Sequence, residues 1–183
     1  MQITIGLTPS DIAYARREIR KYKNSLSKKC SKFVSKLAAK GITVAKQNVG
    51  EFGGYIVFEK HVDAETYGAR GFILATQTGL IRREWRTNAT DTGVTSADIS
   101  PLLMAEFGAG IKHDKNKHAH QFGMGAGTFP GQTHAFDPDG WWYLDMNWEW
   151  QHADGIEPGM PMTKAAEEME RQIFATAQEV FAT

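Results

Sequence analysis

The chain has 183 residues, 42% of them hydrophobic, and its 21 Lys and Arg balance 21 Asp and Glu. That is material for one modest core, and no apolar run reaches the length of about 18 residues that marks a membrane span. The single cysteine, Cys30, excludes an internal disulfide, and with no apolar leader at the amino end the expectation is synthesis and folding in a reducing cytoplasm.

The balanced charge hides a gradient. Residues 1–49 hold 11 Lys and Arg against 2 Asp and Glu, whereas residues 137–183 hold 2 against 10. Opposite ends of opposite sign suit a head-to-tail contact between copies. They equally suit uneven solvated faces.

In chain order, residues 2–6 alternate as a short edge strand would. Ser10 and Asp11 after Pro9 are good helix caps. Ile12, Ala15, Ile19, Tyr22, Leu26, Cys30, Phe33 and Leu37 then recur every three or four residues. That spacing predicts one long amphipathic helix to about Asn48, with Gly41 as the place where it bends or ends. Its other face carries Arg16, Arg17, Arg20, Lys21, Lys23, Lys28, Lys29, Lys32 and Lys36. Such a row fits DNA, an acidic protein partner, or plain solvation.

Residues 55–62 read as a strand. Together with 71–76 and 80–87, which flank a short turn at 77–79, it reads as a meander or hairpin of an antiparallel sheet, and 88–100 reads as a polar loop. Ser100 would cap a short helix ended by Gly108. From Gly108 to Ala135 the chain is glycine-rich and aperiodic, which suggests a long functional loop. Residues 141–145 and 148–152 read as two strands about a tight turn. Alternation puts Trp141 and Tyr143 on one face and Trp142 on the other. Residues 162–181 read as a closing helix with Ala166, Met169, Ile173, Phe174, Ala177 and Val180 inward, and Glu167 and Glu168 near its positive end.

Candidate chemistry is sparse. His113, His118 and His120, with Asp114, His134 and Asp137, offer zinc-type ligands but no standard zinc spacing. The Asp137-Pro138-Asp139-Gly140 run reads as a turn and lacks the later ligands of a calcium loop. Glu106 has the chemistry of a general base but no evident partner, and a cap or a solvated surface group is the plainer reading. The aromatic set Phe129, Phe136, Trp141, Trp142, Tyr143, Trp148 and Trp150 is divided between core and a docking surface, where aromatics carry much of the binding energy.

The order of these segments resembles a known family. A basic amphipathic helix, a small sheet, "LLMAEFGAG", an irregular insert and "GIEPGMPMTKAAEEME" leading into a last helix are similar to the minor structural proteins at the head–tail junction of long-tailed bacteriophages. These are variously called neck, head–tail joining or tail-completion proteins. In them a segment ending Glu-Phe-Gly or Glu-Tyr-Gly precedes a loop, and a Pro-containing segment introduces the last helix. Glu106, Phe107, Gly108 and Pro161 occupy those positions. The insert "GTFPGQTHAFDPDGWWY" resembles a subgroup from phages of Gram-positive hosts. Asn48-Val49-Gly50 lacks the family's Pro and Thr after the first helix, and Ala109 replaces a usual Thr.

The resulting expectation is an α+β fold: a long N-terminal helix and a C-terminal helix packed on a small, mainly antiparallel sheet. Residues 1–183 form a single domain with an extended loop or arm at about 108–135, open first to protease and docking on a neighbour. The resemblance implies a non-enzymatic virion protein at the head–tail junction or tail, made in the host cytoplasm, without cofactor or metal. It implies a ring, sixfold by analogy, whose partners are connector or adaptor, tail-terminator or tail-tube proteins. DNA would pass as cargo, and no membrane is involved. Two alternatives stand beside it: a zinc-dependent phage tail hydrolase using His113, His118 and His120, and a DNA-binding protein using the basic helix.

Overall fold

Pro9–Asn48 forms a single helix of 40 residues, α1, against which the first two strands and the last two helices pack. The computed structural model describes residues 6, 8–66, 68–87, 90, 93–110 and 138–182. The expected strand at 2–6, apart from Gly6, and the expected arm beyond residue 110 lie outside these residues.

The cap of α1 is Thr8, not Ser10 or Asp11: its Oγ1 accepts the Asp11 N–H at 3.3 Å. Pro9 is taken into the first turn, where a proline loses no helical hydrogen bond and brings the right φ. Gly41 does not end the helix. A side chain there would lie 2.7 Å from Ile73 Cδ1 and 2.9 Å from Met169 Cγ. The glycine lets a strand and a later helix close on α1 at one point.

After a 3-10 helix, Gly50–Tyr55, β1 (Ile56–Glu65) pairs antiparallel with β2 (Gly68–Gln77), from Ile56↔Gln77 to Glu65↔Gly68. A lone two-stranded hairpin is marginal in water, so this one depends on packing its inner face on α1. Of the expected meander or hairpin, the antiparallel pairing of 55–62 with 71–76 forms, but that of 71–76 with 80–87 does not. Residues 78–80 carry the chain out of the first sheet, and Thr78 N–H donates to Tyr55 O at 2.9 Å. A turn signal marks the end of a strand, whereas the partner is chosen by the apolar face: Ile73 and Ala75 lie on the face of Phe58 and Ile56, against α1.

The second sheet has the order β4-β3-β5-β6, all antiparallel. It contains β3 (Ile81–Arg86), β4 (Val94–Ile99), β5 (Trp141–Leu144) and β6 (Trp150–Ala153). β4 falls inside the expected polar loop. It is an edge strand, exposed at all residues but Ile99, so the apolar alternation that reveals a strand is missing.

Helix α2 (Pro101–Phe107) is capped as expected by Ser100, whose Oγ accepts Leu103 N–H at 3.2 Å. The closing helix is two: α3 (Pro161–Arg171) and α4 (Ile173–Phe181). At the break, Gln172 N–H is shared between Glu168 O at 3.0 Å and Met169 O at 3.2 Å. The Gln172 side chain accepts from Lys40 Nζ at 3.0 Å. The inward residues match the periodic reading at Val180 and depart from it elsewhere. Ala165, Thr176 and Val180 are buried, while Ala166 is exposed and Phe174 is 84% exposed. Thr176 is fully buried because Lys40 Nζ donates to its hydroxyl at 3.0 Å. A satisfied hydroxyl occupies the place an apolar side chain was expected to fill.

The core joins Ala45 and Val49 of α1 to Phe52, Ile56, Phe58, Met104, Ala105, Ala109 and Ala165. The fold is α+β, with long N-terminal and paired C-terminal helices and two antiparallel sheets. No described helix is long and apolar enough to cross a membrane.

Candidate assembly surface

The residues singled out from the sequence fall into two places. Glu106, Phe107, Gly108 and Pro161 meet at a buried junction. Trp141, Trp142, Tyr143, Trp148 and Trp150 lie in or beside the β5–β6 ribbon. Phe129, Phe136 and the candidate zinc residues His113, Asp114, His118, His120, His134 and Asp137 lie outside the described residues.

At the junction, Glu106 of α2 reaches the amino end of α3. Its Oε2 accepts Met162 N–H at 2.8 Å, and its Oε1 accepts Thr163 N–H at 3.0 Å and the Thr163 hydroxyl at 2.5 Å. These amides belong to the first turn of α3, which has no cap from its own Met160. A carboxylate there meets both the orphan donors and the positive end of the helix dipole. Gly159 and Met160 N–H both donate to Ala105 O, at 2.9 and 3.0 Å. Gly108 has φ of 68°, and a side chain on it would collide with Ile156 O. Ala109 and Ile156 form an antiparallel bridge. Lys164 Nζ donates to Asn48 Oδ1 at 2.9 Å, tying α3 to the end of α1. The motif positions therefore build a framework. An open cleft of about 330 Å³ lies beside it, with Glu51 and Glu157 among its lining residues.

The ribbon is built differently. Trp142 pairs with His152 and Leu144 with Trp150, so these four share one face, and the pairing Arg86↔Leu144 adds Arg86 to it. Trp142 is 65% exposed, Trp150 58% and Trp148 46%. Trp141 and Tyr143, on the other face, are half-buried. Gly140, with φ of 72°, follows the turn at Pro138 and Asp139 and leads into β5 close against Ala153 O. His152 Nε2 lies 2.7 Å from Asp139 O, and its ring lies 4.9 Å from that of Trp142.

Asp145 fixes the turn between the strands. Its Oδ1 accepts the amides of Asn147 at 2.8 Å and Glu149 at 2.9 Å, and its Oδ2 accepts from Gln151 Nε2 at 3.2 Å. The Glu149 amide above all holds the Asp145 carboxyl below its ordinary value; burial opposes it, and the Asn147 amide and the Gln151 side chain add to the lowering. Trp148 takes a left-handed φ of 66° in this turn. The Arg86 guanidinium lies over its ring, 4.4 Å from the centroid, a cation–π arrangement. Nothing local in the sequence links Arg86 to Trp148. The pairing becomes visible only once β3 and β5 are neighbours.

On α1, Lys36 pairs with Glu179 and Lys40 with Gln172 and Thr176, so part of the helix's positive charge is used inside the fold. Upstream, Ile12, Ile19, Tyr22 and Leu26 are exposed beside Arg16, Arg17 and Arg20.

Comparison with family models, with curated proteins and with solved structures finds no match to this chain.

Proposed function

We propose that this chain is a non-enzymatic structural protein of a long-tailed bacteriophage, completing the tail or joining it to the DNA-filled head in a ring of several copies. The observation that carries this reading is the β5–β6 ribbon: three exposed tryptophans held in fixed positions by Asp145, Arg86 and Gly140. Exposed aromatics on a rigid strand pair form a docking surface, since large rings bury much area at little entropic cost. The resemblance to head–tail joining proteins supplies the setting. The junction of Glu106, Gly108 and Pro161 supports it, because those motif positions serve to lock helices together. In this reading the protein belongs to the virion, its partners are further copies and the connector, terminator or tail-tube proteins, and DNA is passing cargo.

The test is to inactivate the gene in the phage that carries it and to image the lysate by electron microscopy. Full heads beside separate or misshapen tails are expected. Intact but non-infectious particles would overturn the role in joining or completion.

A further inference from the structure

We propose that the basic amino-terminal stretch of α1 in one copy docks on the acidic, tryptophan-bearing β5–β6 ribbon of a second copy. This deepens the assembly part of the reading above and rests on copies of the chain associating. The occupant is argued from two surfaces left open in the same chain.

The first surface is the stretch of α1 from Ile12 to Leu26. The hairpin tip, Thr66 and Gly68, reaches α1 beside Lys23, Leu26 and Cys30, and α4 ends with Phe181 against Phe33. Upstream of these contacts Ile12, Ile19 and Tyr22 remain exposed, Tyr22 by 54%. They continue the stripe that farther along α1 packs on α3, α4 and the hairpin. Arg16 and Arg20 flank this stripe at helical spacing. Residues 9–32 hold eight Lys and Arg against two Asp and Glu. At about 1.5 Å per residue, the stretch from Ile12 to Leu26 is about 20 Å long, enough to cross a two-stranded ribbon.

The second surface carries the opposite charge. Residues 139–157 hold five Asp and Glu and no Lys or Arg, and Arg86, which strand pairing places on this face, lies over the Trp148 ring. Trp142 and Trp150 share the exposed face, Glu149 lies between Trp148 and Trp150, and Asp139 lies at the ribbon's start. An arginine-flanked apolar helix fits such a surface twice over. Ile19 and Tyr22 can bury against the indoles, while the guanidinium groups meet carboxylates and ring faces. Both surfaces are exposed in one chain, so the contact forms between copies. It uses different patches on the two partners, which makes it heterologous and able to close into a ring.

The experiment uses the purified full chain in sedimentation velocity at low salt, with circular dichroism as a check on folding. One variant reverses the helix charge (Arg16→Glu, Arg17→Glu, Arg20→Glu). The other reverses the ribbon charge (Asp139→Lys, Glu149→Lys). All five positions are exposed. The wild type is expected to sediment as assemblies that dissociate as salt rises, each variant as a monomer, and an equal mixture of the two variants as assemblies again. A wild type that stays monomeric, variants that assemble like the wild type, or a mixture that fails to reassociate would overturn the contact. So would a monomeric wild type whose helix binds phosphatidylserine vesicles or duplex DNA and loses that binding in the helix variant. Failure here leaves the virion role standing, because the lysate experiment reads that role without reference to this contact.

Discussion

Glu106 and Thr163 are joined twice through one carboxylate oxygen, which accepts the Thr163 amide at 3.0 Å and its hydroxyl at 2.5 Å. With Met162 N–H on the other oxygen, a side chain of α2 caps a helix that starts more than fifty residues later. Of the readings open to Glu106 in the sequence, the structure shows the cap.

Replacing Glu106 with Ala should destabilise the fold by about 2–3 kcal/mol, since it strips a charged acceptor from buried donors. Glu106→Gln, which keeps one acceptor oxygen but no charge, should lose less. Urea unfolding of the three proteins measures the order. Equal stability of wild type and Glu106→Ala would contradict the cap.

Gly108→Ala should be at least as damaging as loss of the cap. Its φ of 68° with ψ of −164° is backbone that an L side chain avoids, and the new methyl would meet Ile156 O and, at 2.8 Å, Pro158 Cδ. Strain of this kind costs about 1–3 kcal/mol before any clash is relieved. A thermal melt unchanged within error would show that the segment around Ile156 yields freely.

The ribbon turn should be sensitive to acid. Asp145 has a lowered pKa in the folded chain. Its stabilising contribution is therefore complete above the unfolded value, about 3.9, and is lost as pH falls below that through the folded value. Melting wild type and Asp145→Asn between about pH 7 and about pH 2 should give a gap that is constant at the upper end and shrinks only at the acid end. A gap that widens in acid would reverse the sign.

Phe174→Ser should leave stability within about 0.5 kcal/mol of wild type, as surface substitutions do, because the ring is 84% exposed. Val180→Ala, at a buried position of the same helix, should cost about 1–2 kcal/mol. Chemical denaturation separates the two, and a larger loss at Phe174 would restore the inward face read from periodicity.

The elements most legible in the sequence were those fixed by local chemistry. The long stripe of α1, the Ser100 cap with the Gly108 stop, and the Trp141–Leu144 and Trp150–Ala153 strands about an Asp145 turn all follow from neighbouring residues. What failed depended on distant partners. Residues 94–99 hide as a strand because an edge strand needs no apolar face. Of the antiparallel pairings legible around residues 77–79, only β1 with β2 forms, because the α1 surface, not the turn, selects the partner of β2. Periodicity points Phe174 inward, but Lys40, from another helix, bonds Gln172 and Thr176, and it is Thr176 that is buried. The candidate surface was half legible. Its tryptophans are contiguous in sequence, but Arg86 joins them only through the sheet.

In the proposed role the ribbon tryptophans serve assembly and not folding. That role is tested most directly by supplying Trp142→Ser/Trp150→Ser protein to a phage whose own copy of the gene is inactive. A folded variant with a wild-type melting curve is expected, with a lysate of full heads and unjoined or misshapen tails. Normal infectious particles from that variant would contradict it.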